Sequence, residues 1–180
     1  WASRGLGDVY KRQGLKWDEA YANPFSITTE AYYGTDLYSL VANLEVENEP
    51  GKIFNYQSCN SNLLSIIVNK ATGKTVSEYA SEKLWTPINA EHNALWSLDH
   101  VDGIEKGYCC FNTDARDFAR IGKLYLNKGN WDGLQIVDSS YVEESTHPAP
   151  ILRNGEPNKI YGLHWWLSLI HIWRCRRLVE

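Results

Sequence analysis

The segment FNYQSCNSNLL, residues 54–64, holds the residue best suited to chemistry in this chain, because it places Tyr56 just before a predicted helix. A tyrosine has a pKa of roughly 10, so it moves a proton only where positive neighbours favour its phenolate or where it relays a proton. A serine nucleophile would need such a base beside it. The 180 residues contain no Ser-Xaa-Xaa-Lys, Lys-Thr-Gly or His-Xaa-Gly sequence. The sequence thus offers a proton carrier but no motif for the nucleophile that it would serve.

Three other patterns that could mark a functional site fail on their spacing. The Gly-Lys-Thr at 73–75 precedes a predicted helix, but a phosphate-binding loop needs a glycine where Val68 stands. The histidines of residues 14–166 include no i, i+4 pair that would set two imidazoles on one helical face for zinc. Cys59 and the pair Cys109–Cys110 lack metal-type spacing, so they are interpreted as buried, small apolar thiols. We therefore predict no metal site and no nucleotide site.

Helices are the main elements that would position these residues. Apolar residues recur at helical spacing, and Gly73 supplies a stop for the helix that follows Tyr56. Thr75 and Glu78 have capping-box spacing, because the threonine hydroxyl can accept from the third helical amide while the glutamate reaches back. The predicted helices cover residues 36–45, 60–71, 75–84, 115–128 and 138–145, and the capping side chains of Asn112-Thr113-Asp114 precede the fourth.

Only short extended pieces are predicted between the helices. Residues 14–35 are rich in aromatics, Asn, Pro and Ser without sustained periodicity, so they are interpreted as a long ordered loop with about one turn of helix. The predicted extended segments are 94–98, 106–111, 134–137 and 161–166. Helix therefore predominates over sheet in this prediction.

The two ends of the chain are expected to be foreign to the natural protein. Residues 8–13, DVYKRQ, can be encoded by a DNA string whose reverse complement encodes LSLIHI, residues 167–172. A ligated sequencing tag read inward from both ends of an insert has this property, whereas unrelated natural segments do not. We therefore expect residues 1–13 and 167–180 to be non-native and 14–166 to be a partial domain. The alternative is a basic, amphipathic C-terminal tail.

Charge and hydropathy exclude some classes of partner. The formal net charge is −4; six basic but only two acidic residues lie in 1–13 and 167–180, so residues 14–166 carry about −8. An acidic surface without basic clusters repels polyanions, so nucleic-acid binding is not expected. No apolar run approaches the roughly 20 residues that cross a bilayer, so no membrane span is predicted either.

The segment around Tyr56 resembles the serine beta-lactamase-like family, which includes class C beta-lactamases, D-alanyl-D-alanine peptidases and related esterases and amidases. The family's tyrosine motif and the helix after it are matched, in order and spacing, by Pro50-Gly51, Phe54, Tyr56, Leu63-Leu64 and Ala71–Thr75. Gly14-Leu15 is similar to the end of an earlier family stretch, and residues 115–124 are similar to a later one. The resemblance covers residues 14–166 and is strongest to the branch of the 6-aminohexanoate-dimer hydrolases.

This resemblance implies an α+β fold of the serine beta-lactamase/D,D-peptidase type, of which the chain would cover mainly the helical domain. It implies a serine hydrolase that acts on small amide or ester substrates through an acyl-enzyme, without a metal or organic cofactor. Tyr56 is then the general base and acid. The family's asparagine, two residues after the tyrosine, is Ser58 here, which makes Ser58 the expected substrate-binding residue and counts against true beta-lactamase activity. Ser58 with Asn60 offers an alternative Ser-Xaa-Asn motif.

The resemblance requires a Ser-Xaa-Xaa-Lys motif, expected upstream of Gly14, and a Lys/His-Xaa-Gly motif, expected downstream of Trp166; the chain lacks both. The chain alone is therefore expected to be inactive. The alternative from another functional class is a non-catalytic relative that binds cell-wall peptide or senses a ligand; a carbohydrate-binding module built on the tryptophans is a third hypothesis. A packed structural role for Tyr56 also stays open, as does the oligomeric state. The resemblance implies a periplasmic or extracellular location.

Overall fold

The structure is a computed structural model that describes residues 14–49, 54–150, 152–153 and 155–167. The terminal segments expected to be non-native, 1–13 and 167–180, lie outside the described residues apart from Leu167, and so does Pro50-Gly51. The described part of the chain is α+β, as predicted, and helix predominates in it. Its α-helices are α1 (Ile27–Tyr33), α2 (Leu37–Ala42), α3 (Ser58–Thr72), α4 (Val76–Ala80), α5 (Ala115–Leu126) and α6 (Ser139–Ser145).

The strands form three separate antiparallel pairs, each only two residues long on either side. The first pair sets Leu95 opposite Asn112 and Trp96 opposite Phe111. The strands are β1 (Leu95–Trp96) with β2 (Phe111–Asn112), β3 (Asn130–Trp131) with β4 (Leu134–Gln135), and β5 (Leu152–Arg153) with β6 (Glu156–Pro157). Isolated bridges join Leu15 to Val46, Leu98 to Glu105 and Tyr161 to Trp166. Strands β1, β2 and β4 overlap predicted extended segments, and the predicted segment 161–166 holds one bridge, whereas β3, β5 and β6 were not predicted. The described chain therefore contains little sheet.

Side-chain caps explain why the helices begin where they do. Thr75 and Glu78 form the predicted capping box: Glu78 N donates to Thr75 Oγ1 at 3.1 Å, and Thr75 N donates to Glu78 Oε2 at 2.9 Å. Asp114 Oδ1 accepts from Arg116 N at 2.8 Å and starts α5. Gly73 ends α3 in the left-handed conformation, at φ 69°, which a residue without Cβ adopts freely. These starts and stops were all visible in the sequence.

Two helices differ from the prediction. Residues 14–35 contain a full seven-residue helix, α1, where a loop with about one turn was expected. Ser26 Oγ caps it by accepting from Thr29 N at 3.2 Å, and Ala31 packs into the core, so tertiary contact stabilises a sequence of weak periodicity. The helix predicted to run to Leu84 is α-helical only to Ala80 and continues as a π-helical turn over Ser81–Trp85.

Helix α3 buries a different face from the one predicted. The expected apolar stripe, Leu63, Leu64, Ile67 and Ala71, is half-buried or exposed, whereas Asn62 is fully buried and Ser65 nearly so. A Cβ on Gly107 would lie 1.9 Å from Ser65 Oγ, so the loop around Gly107 passes directly against this face. Small side chains are needed there because larger ones would push the loop away from the helix.

The buried side chains fall into three clusters. One lies between α1, α2 and α3 and contains Trp17, Leu37, Val41 and other residues. Another joins α5 to the chain around it through Ile88, Leu124 and Trp131. The third is small and aromatic; it consists of Phe54, Ala149 and Tyr161, with Tyr56 packed against it. Tyr56, the predicted catalytic residue, thus packs against this third cluster.

The cysteine prediction is half right. Cys59 is a fully buried thiol, as expected. Cys109 and Cys110 are half-buried and form a disulfide with each other, so their interpretation as buried thiols is wrong. Their Cα atoms are 3.8 Å apart, the spacing of neighbours across a trans peptide, and Cys110 has a φ of 66°. Spacing rules made for metal sites and long-range disulfides do not cover such adjacent pairs.

Candidate functional site

Tyr56 lies two residues before α3, with its ring set into an aromatic wall. The ring centroid of Tyr56 lies 5.5 Å from that of Trp166 and 6.3 Å from that of Tyr161, the second contact being edge-to-face. Phe54 and Tyr161 are themselves in contact at 4.9 Å. Such aromatic pairs add about 0.5–1.5 kcal/mol each beyond the area that they bury. The half-buried Tyr56 ring is therefore held at a defined position.

The wall is fixed to the rest of the molecule through Tyr161. Tyr161 is buried, its carbonyl accepts from Ala149 N at 2.9 Å, and its own N–H donates to Asn158 Oδ1 at 3.2 Å. Asn158 Nδ2 also donates to the Tyr161 carbonyl at 2.6 Å. Residues more than 100 positions after Tyr56 in the sequence thus form the surface on which its ring rests.

The surroundings of Tyr56 keep its phenol protonated. Burial raises the pKa of Tyr56, and the negative charge of Glu19 raises it further. Burial also raises the pKa of Tyr161, with a contribution from Tyr56. A tyrosine that serves as a base needs a positive neighbour to stabilise its phenolate. Burial and the charge of Glu19 therefore both favour the protonated form of the Tyr56 phenol.

Glu19, which was not predicted as a site residue, accepts most of the hydrogen bonds in this region. Its Oε2 accepts from Trp17 Nε1 at 2.5 Å and from Ser58 N at 2.9 Å. Its Oε1 accepts from the hydroxyls of Tyr21, at 2.5 Å, and Ser58. A carboxylate has about four acceptor positions, and all four are used here. A signal was present: Trp17, Glu19 and Tyr21 alternate, which places them on one side of an extended segment.

Ser58, the predicted substrate-binding residue, is the first residue of α3 and is only 5% exposed. Both its backbone N–H and its hydroxyl donate to Glu19. Asn60, the alternative member of the motif, is fully buried, and its Oδ1 lies 3.8 Å from the Cys59 sulfur. The structure thus turns Asn60 into the core and Ser58 toward Glu19.

The charge of Glu19 acts on the ionisation of two further tyrosines, Tyr21 and Tyr108. Tyr21 has a 69% exposed side chain, yet partial burial of its phenol and its hydrogen bond to Glu19 raise the pKa of Tyr21 to about 12. Burial, followed by the charges of Tyr32 and Glu19, raises the pKa of Tyr108 to about 12. The site therefore contains several protonated phenols grouped around one negative charge.

A cleft in the described chain lies away from Tyr56. It has a volume of about 840 Å³ and is lined mainly by apolar side chains of α4, the π-helical turn, β1 and β2, including Leu84, Trp85, Trp96 and Phe111. Tyr56 and Ser58 are not among its lining residues. Within the described residues, no group of three or more His, Cys, Asp or Glu side chains could hold a metal ion. No helix in this part of the chain is long and apolar enough to cross a membrane.

The fold is that of penicillin-binding-protein and beta-lactamase-like proteins. The model of the Beta-lactamase family matches residues 10–107, and the chain belongs to that family. The chain is 31% identical over 147 residues to the 6-aminohexanoate-dimer hydrolase of Paenarthrobacter ureafaciens, an alignment that covers 74% of this chain and 35% of that protein. It therefore spans about a third of the length of this curated relative.

Solved structures agree with the family. A Bacillus anthracis protein provisionally described as a 6-aminohexanoate-dimer hydrolase has a TM-score of 0.74 and 26% identity, covering 89% of this chain and 45% of that one. The octameric penicillin-binding protein homologue from Pyrococcus abyssi has a TM-score of 0.61 at 17% identity, covering 88% and 41%. The second likeness concerns the fold alone. The predicted family and fold are thus confirmed.

Proposed function

We propose that this chain is part of a serine hydrolase that cleaves small amide or ester bonds through an acyl-enzyme, with Tyr56 as the group that moves the proton. The observation that carries the proposal is the placement of Tyr56: its hydroxyl-bearing ring is clamped by an aromatic wall at the start of α3. A proton carrier must be held within hydrogen-bond reach of the reacting atoms, and a rigid ring meets that requirement.

The proposed reaction has two balanced steps. In the first, the serine oxygen bonds to the substrate carbonyl carbon, the serine proton leaves through Tyr56 and its cationic partner, and the same proton protonates the departing amine or alcohol. In the second, water attacks the acyl-serine, gives a proton to Tyr56 and releases the acid, and the serine oxygen regains the proton. Because burial and Glu19 raise the pKa of Tyr56, Tyr56 needs a positive partner to act as a base.

The serine and that positive partner are proposed to come from sequence that is not in this chain. The printed sequence contains no Ser-Xaa-Xaa-Lys motif, and it covers 35% of the curated relative. We therefore expect residues 14–166 alone to form no acyl-enzyme. Mass spectrometry of the chain after incubation with a fluorescent penicillin or an activated ester tests this; a stable adduct would contradict it.

Ser58 is proposed to contact the substrate through its oxygen lone pairs. The Ser58 hydroxyl donates its hydrogen bond to Glu19, so the Ser58 oxygen can only accept a hydrogen bond from any further group. An acceptor suits the N–H of an amide better than the oxygen of an ester. The relative from Paenarthrobacter ureafaciens is named as a hydrolase of the 6-aminohexanoate dimer, which agrees with an amide substrate.

The decisive experiment begins with the source gene, sequenced beyond Gly14 and Trp166. If it encodes Ser-Xaa-Xaa-Lys upstream, the full-length enzyme is assayed with 6-aminohexanoate linear dimer and a p-nitrophenyl ester. Tyr56→Phe is expected to lower kcat/KM by about 10²–10⁴-fold. Tyr33→Phe, at a 78% exposed tyrosine, is the control and should leave it unchanged. Full activity in Tyr56→Phe would refute the role of Tyr56, and a gene without the serine would favour a binding or sensing protein.

A further inference from the structure

Helix α3 lacks a side-chain cap of its own. Its N-cap residue, Gln57, makes no capping bond, because its side-chain amide donates instead to the Leu15 carbonyl at 2.6 Å. The first amide of the helix, that of Ser58, donates to Glu19, 39 residues earlier in the chain. A carboxylate at this place satisfies an amide that would otherwise lack a partner, and it faces the positive end of the helix dipole.

The same carboxylate helps to join segment 15–21 to the residues that follow Tyr56. Glu19 and Leu15 both lie on the segment 15–21, and they take bonds from Ser58 and Gln57, the two residues that follow Tyr56. Tyr56 is thus fixed from two sides, by the aromatic wall on its ring and by these bonds on its backbone neighbours. The charge of Glu19 is close enough to Tyr56 to act on its ionisation.

We propose that Glu19 is a positioning residue of the hydrolase site: its carboxylate caps α3, accepts a hydrogen bond from the Ser58 hydroxyl and fixes where the Tyr56 phenol lies. The importance of Glu19 for catalysis rests on the proposed function, but the effect of Glu19 on Tyr56 can be measured in this chain without a catalytic assay. The groups that face this cluster from the neighbouring segments are the phenols of Tyr21, Tyr108 and Tyr161.

The test is a titration of the Tyr56 phenol by fluorine NMR. The chain is produced with 3-fluorotyrosine, which lowers the pKa of every phenol and allows titration while the protein is folded. The Tyr56 signal is assigned through Tyr56→Phe. Glu19→Gln removes the charge with little change in shape, so the Tyr56 midpoint should shift to lower pH. Glu45→Gln, at an exposed carboxylate paired only with Lys16 among the described residues, should leave it in place.

A second pair of variants keeps the proposal testable if Glu19→Gln does not fold. Ser58→Ala removes one donor from Glu19 and leaves its charge less compensated, so the Tyr56 midpoint should shift to higher pH, opposite to Glu19→Gln. Glu19→Asp retains the charge, so its shift should be smaller than that of Glu19→Gln. Far-UV circular dichroism identifies folded variants.

The outcomes separate this proposal from the proposed function. An unchanged Tyr56 midpoint in folded Glu19→Gln, or equal shifts in Glu19→Gln and Glu19→Asp, would overturn the role of Glu19, because burial alone would then control Tyr56. Opposite shifts in Glu19→Gln and Ser58→Ala would support it. Neither result depends on turnover, so a failure of the hydrolase assay leaves this measurement fully interpretable.

Discussion

Replacing Ser58 by alanine tests how much the contact between Glu19 and α3 stabilises the protein. The substitution removes one hydrogen bond from a hydroxyl to a carboxylate and leaves no buried donor behind, because the backbone N–H of Ser58 keeps its bond to Glu19. A hydrogen bond to a charged group contributes about 1.5–3 kcal/mol. We expect the free energy of unfolding to fall by that amount.

The assay is urea denaturation followed by tryptophan fluorescence, supported by thermal unfolding. A loss of about 1.5–3 kcal/mol corresponds to a decrease in Tm of roughly 3–12 °C for a domain of this size. Ser81→Ala is the control; Ser81 is exposed, and its replacement should change the free energy of unfolding by no more than about 0.5 kcal/mol.

A double-mutant cycle shows whether the effect arises from the contact itself. Ser58→Ala should cost at least about 1 kcal/mol less in a Glu19→Ala background than in the wild type, because the partner of the hydroxyl is already gone. If Ser58→Ala is as stable as the control, or if the two substitutions are additive, the contact does not stabilise the start of α3 and the reasoning fails.

Three other predictions concern the elements that support the site. Leu124→Ala, in the α5 core, should lower the free energy of unfolding by about 2–5 kcal/mol in urea, whereas Leu126→Ala, at an 83% exposed position, should have little effect. Burial by itself would raise the pKa of Asp117, but hydrogen bonds from two backbone amides, a histidine and an arginine hold this pKa below its ordinary value. The ionised carboxylate of Asp117 therefore stabilises the protein above about pH 4, and this stabilisation is lost at lower pH. Asp117→Asn should therefore weaken the dependence of stability on pH in acid unfolding; an unchanged acid profile would contradict this. Gly162→Ala would place a Cβ 2.0 Å from a backbone carbonyl of α6, so it should displace the aromatic wall and change the fluorine chemical shift of Tyr56. The control is Gly122→Ala, where a Cβ meets open space in the middle of a helix; it should raise the free energy of unfolding by roughly 0.5–1 kcal/mol.

Local rules were enough for much of the secondary structure. The capping box at Thr75, the stop at Gly73 and the start of α5 at Asp114 were readable because each depends on residues within a few positions of one another. Helix α1 and the buried face of α3 were not readable, since both are set by what packs against them. In α3 the polar Asn62 is buried while Leu64 is only half-buried, which reverses the periodicity argument.

The same division holds for the candidate site. The sequence by itself determined the family, the α+β class and the place of Tyr56 just before a helix, because these depend on short motifs whose spacing is visible in one dimension. Only the tertiary structure decided that Glu19 accepts hydrogen bonds from both the backbone N–H and the hydroxyl of Ser58, and that Tyr161 and Trp166 contact the Tyr56 ring. Those partners are 39 to 110 residues apart in the chain, and hydrogen bonds and ring contacts across such distances arise only when packing has brought the segments together.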